Sequence, residues 1–200
     1  MTEKPIIAAF DFDGTLTYRD SLLPFLFFTH SRLETLKKLF ILLPQFAEFE
    51  LGLVTRQAIK EAILTRFFEG DSIEKVAELG RAFAEQILDS KIRPKGAEKI
   101  QWHLAQGHRC VLVSANLEIY LRPWALAHGF SDIVASELEL TQNKRITGQL
   151  AGKNCWGPEK TKRLEQLLGP KEGYVLYAYG DSRGDRELLE LADYPFYRTF

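Results

Sequence analysis

Two clusters of carboxylates carry most of the chemistry legible in this chain. The first is Phe10-Asp11-Phe12-Asp13-Gly14-Thr15-Leu16-Thr17, directly after an apolar run from Ile6 to Phe10. Carboxylates two residues apart on extended backbone project the same way, and the glycine after them lets the chain turn off sharply. The second cluster, Gly180-Asp181-Ser182-Arg183-Gly184-Asp185, follows the apolar run Tyr174 to Tyr179 in the same manner. Four carboxylates gathered at one sheet edge repel unless a cation lies among them, and an all-oxygen donor set favours magnesium over zinc. Between the clusters, Ser114 closes the apolar run Cys110 to Val113. Its hydroxyl, with the neighbouring backbone amides of Ala115 and Asn116, is suited to a phosphate oxygen. Lys160, near the start of a helical pattern, offers a compact positive charge to the same anion.

These residues need a scaffold that delivers them to one edge. Ile6 to Phe10, Cys110 to Val113, Ile133 to Ala135 and Tyr174 to Tyr179 read as buried strands. Helical patterns separate them at Gly96 to Gln106, Leu117 to His128, Pro158 to Leu168 and Asp185 to Ala192. Strand alternating with helix implies an α/β fold, a Rossmann-like parallel sheet covered on both faces, with ligands beyond the carboxyl ends of its strands. Leu138 to Leu150 alternates about a polar cluster, Gln142 to Arg145, and reads as a hairpin decorating that sheet. The interval from Thr17 to about Ile92 has few β-branched runs and many helix formers, over Arg32 to Leu43, Thr55 to Phe68 and Ser72 to Leu88. It reads as a helical insert, 17–92, in a core formed by 1–16 and 93–200.

Composition narrows the function classes. At 200 residues and 46% hydrophobic, the chain can bury one substantial core. With 26 Lys plus Arg against 27 Asp plus Glu, it presents no overall positive field for nucleic acid or an anionic bilayer. Two cysteines without metal-ligand spacing fit a reducing compartment, and Met1 to Pro5 lacks the features of a signal peptide, so a cytoplasmic location is expected. The greasy stretches Leu22 to Phe28 and Leu36 to Leu53 fall short of the roughly 20 apolar residues of a transmembrane segment. His30, His103, His108 and His128 have no ligand spacing, and Trp102, Trp124 and Trp156 read as packing rather than a base-stacking platform. Oligomeric state is not encoded in any motif.

Any one of these motifs is weak alone, since acids at strand ends are often loop caps. Taken in order, Asp11 to Thr17, the strand-ending Ser114 in Val111 to Asn116, Lys160 in Cys155 to Lys160, and Gly180 to Asp185 resemble the four motifs of the haloacid dehalogenase superfamily. The long helical insert and the context of Lys160 are most similar to the subgroup containing phosphoserine phosphatases. The resemblance implies a magnesium-dependent phosphatase. Asp11 would be the nucleophile, transiently phosphorylated, and Asp13 the acid and then base. Asp11, Asp181 and the backbone carbonyl of Asp13 would hold Mg2+, with Asp185 ligating directly or through water. Ser114, Ala115, Asn116 and Lys160 would bind the phosphoryl oxygens.

The resemblance also marks the insert as a mobile cap, hinged at Thr17 to Asp20 and near Lys91 to Pro94. Asp20 falls where phosphoserine phosphatases carry an acid facing the substrate amine, and Arg66 is a candidate partner for a substrate carboxylate. Gly14, Ala115 with Asn116, and Gly184 with Asp185 depart from the phosphoserine phosphatase pattern. The expected substrate is therefore a small or amphiphilic phosphomonoester, including a lipid phosphate, with phosphoserine as the alternative. A phosphomutase would share the same site. A phospho-acceptor signalling module uses similar residues but is shorter and lacks the insert.

Overall fold

The computed structural model describes residues 4–200, so most of the Met1 to Pro5 reading falls outside the described residues. Strand β1 (Ile6–Phe10) has no polar face: Ala8 and Phe10 enter one apolar layer, Ile7 and Ala9 the other. A tight turn over 12–16 leads into five helices, α1 (Leu22–Thr29), α2 (Arg32–Ile41), α3 (Leu43–Glu50), α4 (Arg56–Phe68) and α5 (Ile73–Phe83), the last prolonged by further helical turns to Lys91. Ser31, Thr55 and Ser72 start α2, α4 and α5 by accepting the backbone N–H of Glu34, Ala58 and Lys75. Pro44 opens α3 rather than ending a helix, because its missing N–H costs nothing in a first turn.

The chain then alternates as the periodicity implies: α6 (Pro94–Ala105), β2 (Arg109–Leu117), α7 (Glu118–Ala127), β3 (Asp132–Ser136), the hairpin β4 (Leu138–Leu140) and β5 (Ile146–Leu150), α8 (Pro158–Leu168), β6 (Val175–Gly180), α9 (Arg186–Leu191) and β7 (Tyr194–Tyr197). The main sheet has the order β3-β2-β1-β6-β7, every neighbouring pair parallel. β1 is central, and the chain leaves it toward β2 and later returns on its other side at β6. That reversal opens a crevice at the carboxyl ends of β1, β2 and β6. β7 was not expected from the sequence. Pro195 interrupts its pattern, and the strand tolerates it because it lies at the sheet edge.

The hairpin does not decorate the main sheet. It forms a separate two-stranded ladder that bonds to the loop between α4 and α5, with Gly70 N donating to Ile146 O at 2.9 Å, Ile146 N to Asp71 O at 3.0 Å and Ile73 N to Lys144 O at 3.1 Å. The insert is seated elsewhere as well. A Cβ on Gly80 of α5 would lie 2.6 Å from the carbonyl oxygen of Ile119 on α7, so a glycine permits the two helices to touch. Phe25 and Phe83 pack on Tyr120, with ring centroids 4.7 and 5.4 Å away. The two linkers are tied to each other: Thr17 bridges Ile92, and Arg93 donates to Thr17 O, Gly14 O and Phe200 O. No described helix is long and apolar enough to cross a membrane.

Candidate active site

The acid clusters meet because two glycines allow it. Gly14 has φ +85°, and a Cβ there would lie 2.5 Å from Asp181 Oδ2; a Cβ on Gly180 would lie 2.5 Å from the Asp185 Cβ. The first turn thus folds directly against the loop after β6. Asp11, Asp181 and Asp185 each present a carboxylate oxygen, all within 4.8 Å of one another. Asp185 is the fixed member. Its Oδ2 accepts from Asp181 N, Ser182 N and Ser182 Oγ, and its Oδ1 lies 2.5 Å from Lys160 Nζ.

Lys160 is 2% exposed and also donates to Asp11 Oδ1 at 2.6 Å. Burial opposes its charge, but Asp11 and Asp185 hold its ammonium well above the ordinary lysine range. Burial lifts Asp11 to about 6; Lys160 opposes this and Asp185 adds to it. Asp181 is raised by burial and then by Asp185. At Asp185 burial is outweighed by Lys160 and the Ser182 donors, which bring the carboxyl below its usual range. One lysine among three crowded carboxylates leaves an excess of negative charge, in an all-oxygen set that fits a hard divalent cation such as magnesium.

Asp13 is held apart from that cluster. Its Oδ2 accepts from Asn116 Nδ2 at 2.6 Å, while its buried Oδ1 has no hydrogen-bond partner among the described residues. Burial first, and then the charge of Asp20, raise its carboxyl to about 8 against the opposing bonds from Asn116 and Ser21. At neutral pH Asp13 therefore keeps its proton, with one oxygen unpartnered. Asp20 lines the same cleft, its Oδ1 accepting Leu22 N at 2.9 Å. The side chain of Asn116 bonds Asp13 and reaches Ser21 Oγ at 3.3 Å. Ser114 Oγ accepts Asn116 N, which fixes the bend of the chain at the end of β2.

The cleft over these groups has a volume of about 420 Å³. Asp11, Asp13, Ser114 and Lys160 lie at its floor, and Leu22, Phe46, Phe49, Ile59 and Ile63 from the insert give it an apolar wall. A comparable groove of about 460 Å³ between α5, α7 and β4 is remote from the acid clusters. Lys60 escaped the sequence reading altogether. From α4 it donates to Ala115 O at 2.5 Å and Asn154 Oδ1 at 2.9 Å, and burial pushes its ammonium down to about 8 against the pull of Asp20 and Asp13. Arg56, with its guanidinium 5.2 Å from the Trp156 ring, lines the cleft too. The available signal was the spacing Arg56, Ile59, Lys60, Ile63, one face of a helix. Arg66 is not in the site. It lies six residues beyond Lys60, about 9 Å farther along the axis, and faces a different depression with His30, Glu34 and Lys38.

Residues 8–190 match the family described as haloacid dehalogenase-like hydrolase. Over 200 residues the chain is 33% identical to Protein CicA of Caulobacter vibrioides (strain NA1000 / CB15N), covering 100% of this chain and 89% of that protein. It is 29% identical to a histidinol-phosphatase of Neisseria meningitidis serogroup C (strain 8013) over 130 residues, 62% of this chain and 58% of the relative. A solved structure of a protein of unknown function from Bordetella pertussis Tohama I superposes with a TM-score of 0.78 at 25% identity, covering 94% of this chain and 86% of that one. A substrate-bound phosphoserine phosphatase has the same fold, with a TM-score of 0.60 at 18% identity over 96% of this chain and 84% of that one. The chain belongs to the haloacid dehalogenase-like hydrolase family, and its α/β fold is that of the phosphoserine phosphatase-like structures.

Proposed function

We propose that this enzyme hydrolyses a small or amphiphilic phosphomonoester through a phosphorylated Asp11. The observation that carries the reading is the division of labour between two acids at one strand end. Asp11 is paired with Lys160, whereas Asp13 is raised to about 8 and keeps an unpartnered oxygen. A carboxylate beside a neutral carboxylic acid is what two-step ester cleavage requires.

In the first step an Asp11 oxygen attacks phosphorus as the ester P–O bond breaks, and the proton of Asp13 passes to the departing alkoxide. In the second, Asp13, now a carboxylate, takes a proton from water as that water attacks phosphorus. The acyl phosphate P–O bond breaks, freeing inorganic phosphate and Asp11. Lys160 and Ser114 stabilise the oxygens of the transferring group, and Asn116 aims Asp13. Magnesium, held by Asp11 and Asp181 with Asp185 and the Asp13 carbonyl, would neutralise charge on the phosphoryl oxygens. The 17–92 insert acts as the cap that excludes water, and its apolar wall with Lys60, Arg56 and Asp20 receives the leaving group.

Hydrolysis of an aryl phosphate with and without magnesium tests the chemistry. Asp11→Asn is expected to lose several orders of magnitude in rate, and near-normal turnover would refute the assignment. A panel of phosphoserine, histidinol phosphate, phosphoethanolamine, sugar phosphates and short-chain phosphatidylglycerol phosphate tests the substrate class. A preference for L-phosphoserine of about tenfold or more over all others would overturn it.

A further inference from the structure

The segment that carries Ser114 and Asn116 is a break in the sheet. On one side β2 follows β1 only as far as the pair Phe10 and Leu112, where β1 ends and the chain turns into the acid cluster. On the other side Val113 pairs with Val134 of β3 and Leu117 with Ser136, so residues 114–116 stand opposite Ala135 alone. Such a bulge re-aims side chains and gives up ladder hydrogen bonds, and the backbone groups it frees need other partners.

The bulge is held by its middle carbonyl. Ala115 O accepts Ser136 Oγ at 2.7 Å and Lys60 Nζ at 2.5 Å, which occupies both lone pairs of the oxygen. One donor comes from β3 of the core and the other from α4 of the insert. Asn154 Oδ1 lies 3.0 Å from the same hydroxyl and 2.9 Å from the same ammonium, so it ties the two donors together. The Ser136 proton has its nearer acceptor in Ala115 O. Ser136 is 1% exposed, accepts Cys155 N at 3.0 Å and does not line the cleft.

Two catalytic groups depend on where that carbonyl points. The peptide is planar, so turning Ala115 O also turns Asn116 N, which donates to Ser114 Oγ at 3.0 Å. With that acceptor position filled from the backbone, the Ser114 hydroxyl is oriented to give its own proton to a phosphoryl oxygen. The same residue holds Asp13 through its Nδ2 at 2.6 Å.

We propose that Ser136 and Lys60 are positioning residues that clamp the Ala115 carbonyl, and that seating the insert completes the phosphoryl site through Lys60. With the insert raised, the carbonyl keeps the Ser136 bond alone. The catalytic half of the proposal rests on the roles proposed for Ser114 and Asp13, whereas phosphate affinity reads the clamp without any turnover.

The test compares the whole chain with Ser136→Ala, Ser136→Cys, Lys60→Met and the double variant Ser136→Cys/Lys60→Met, each well below its own unfolding transition. Cysteine nearly keeps the volume of serine and removes the strong donor. Affinity for inorganic phosphate is measured by calorimetry at saturating magnesium, and kcat/KM for phenyl phosphate and p-nitrophenyl phosphate. Phenol is the poorer leaving group and depends more on a proton from Asp13. Each single variant is expected to weaken phosphate binding roughly fivefold or more, and to lower kcat/KM for phenyl phosphate about threefold further than for p-nitrophenyl phosphate. The double variant should lose more phosphate affinity than the product of the single losses, because the carbonyl then has no strong donor. Wild-type phosphate affinity in folded Ser136→Ala and Ser136→Cys overturns the clamp. A loss confined to Lys60→Met would do the same and assign Lys60 to direct contact with the anion. A double variant equal to the product of the singles would show that the two residues do not act through one carbonyl.

Discussion

Gly148 gives the sharpest quantitative test of how the hairpin holds α4 over the active site. It sits in β5 with φ +88°, and a Cβ there would lie 2.5 Å from the Cα of Thr65, a backbone atom that cannot rotate aside. Gly148→Ala therefore meets two costs. An L-residue in the left-handed region loses about 1–2 kcal/mol, and overpacking against backbone adds about 1–3 kcal/mol, for a total of about 2–5 kcal/mol. For a chain of this size that is a fall in Tm of roughly 4–20 °C. The reference is Gly52→Ala, at φ +72° with nothing within 4 Å, which isolates the backbone strain. Both substitutions restrict the unfolded chain equally, so that contribution cancels in the comparison. Urea unfolding of the two variants reads the difference directly. Because α4 also carries Lys60, its displacement should raise KM for phosphomonoesters that fill the cleft. The magnesium concentration for half-maximal activity should stay where it is, since the acid cluster lies in the turns that follow β1 and β6. If Gly148→Ala proved no more destabilising than Gly52→Ala, the proposed contact between hairpin and α4 would be wrong.

Five further outcomes follow from the site. With magnesium held constant, kcat/KM for an alkyl phosphate should fall as pH rises through about 8, because Asp13 then loses the proton it gives the leaving group. Asp20→Asn removes a charge that raises Asp13, so paired pH profiles should place that limb at lower pH; an unmoved limb would contradict the coupling. Asn116→Ala, which frees Asp13 from its 2.6 Å bond, should lower kcat roughly ten- to hundredfold with little change in KM. Lys60→Met should lower kcat/KM by roughly tenfold or more through loss of its charge-assisted bonds to Ala115 O and Asn154 Oδ1, measurable against an unchanged magnesium titration. Asp181→Asn should instead raise the magnesium requirement, and superimposable titrations of variant and wild type would count against its place in the cation site.

Much of the acid cluster at the floor of the cleft was readable in the chain because it is local. Asp11 and Asp13 follow β1, and Asp181 and Asp185 follow β6, each pair within five consecutive residues and each beside a glycine. Strands rich in buried apolar residues announce themselves by composition, and in a parallel sheet their carboxyl ends must lie together. The insert was legible as helical for the same local reason. Its contribution to the site was not. Lys60 and Arg66 are both cations on α4, and only the docking of that helix against the hairpin brings the first to Ala115 O and carries the second past the cleft. The hairpin's partner was likewise undetermined, since its alternating pattern specifies an exposed and a buried face but not which element supplies the cover. β7 went unseen because Pro195 is forbidden only where an N–H must enter a ladder, and whether it must depends on the strand being at an edge. Asp13 marks the same boundary. Its type and spacing belong to the sequence, but a carboxyl that stays protonated near neutral pH depends on burial and on the nearness of Asp20, and both are set by the packing of the insert over the sheet.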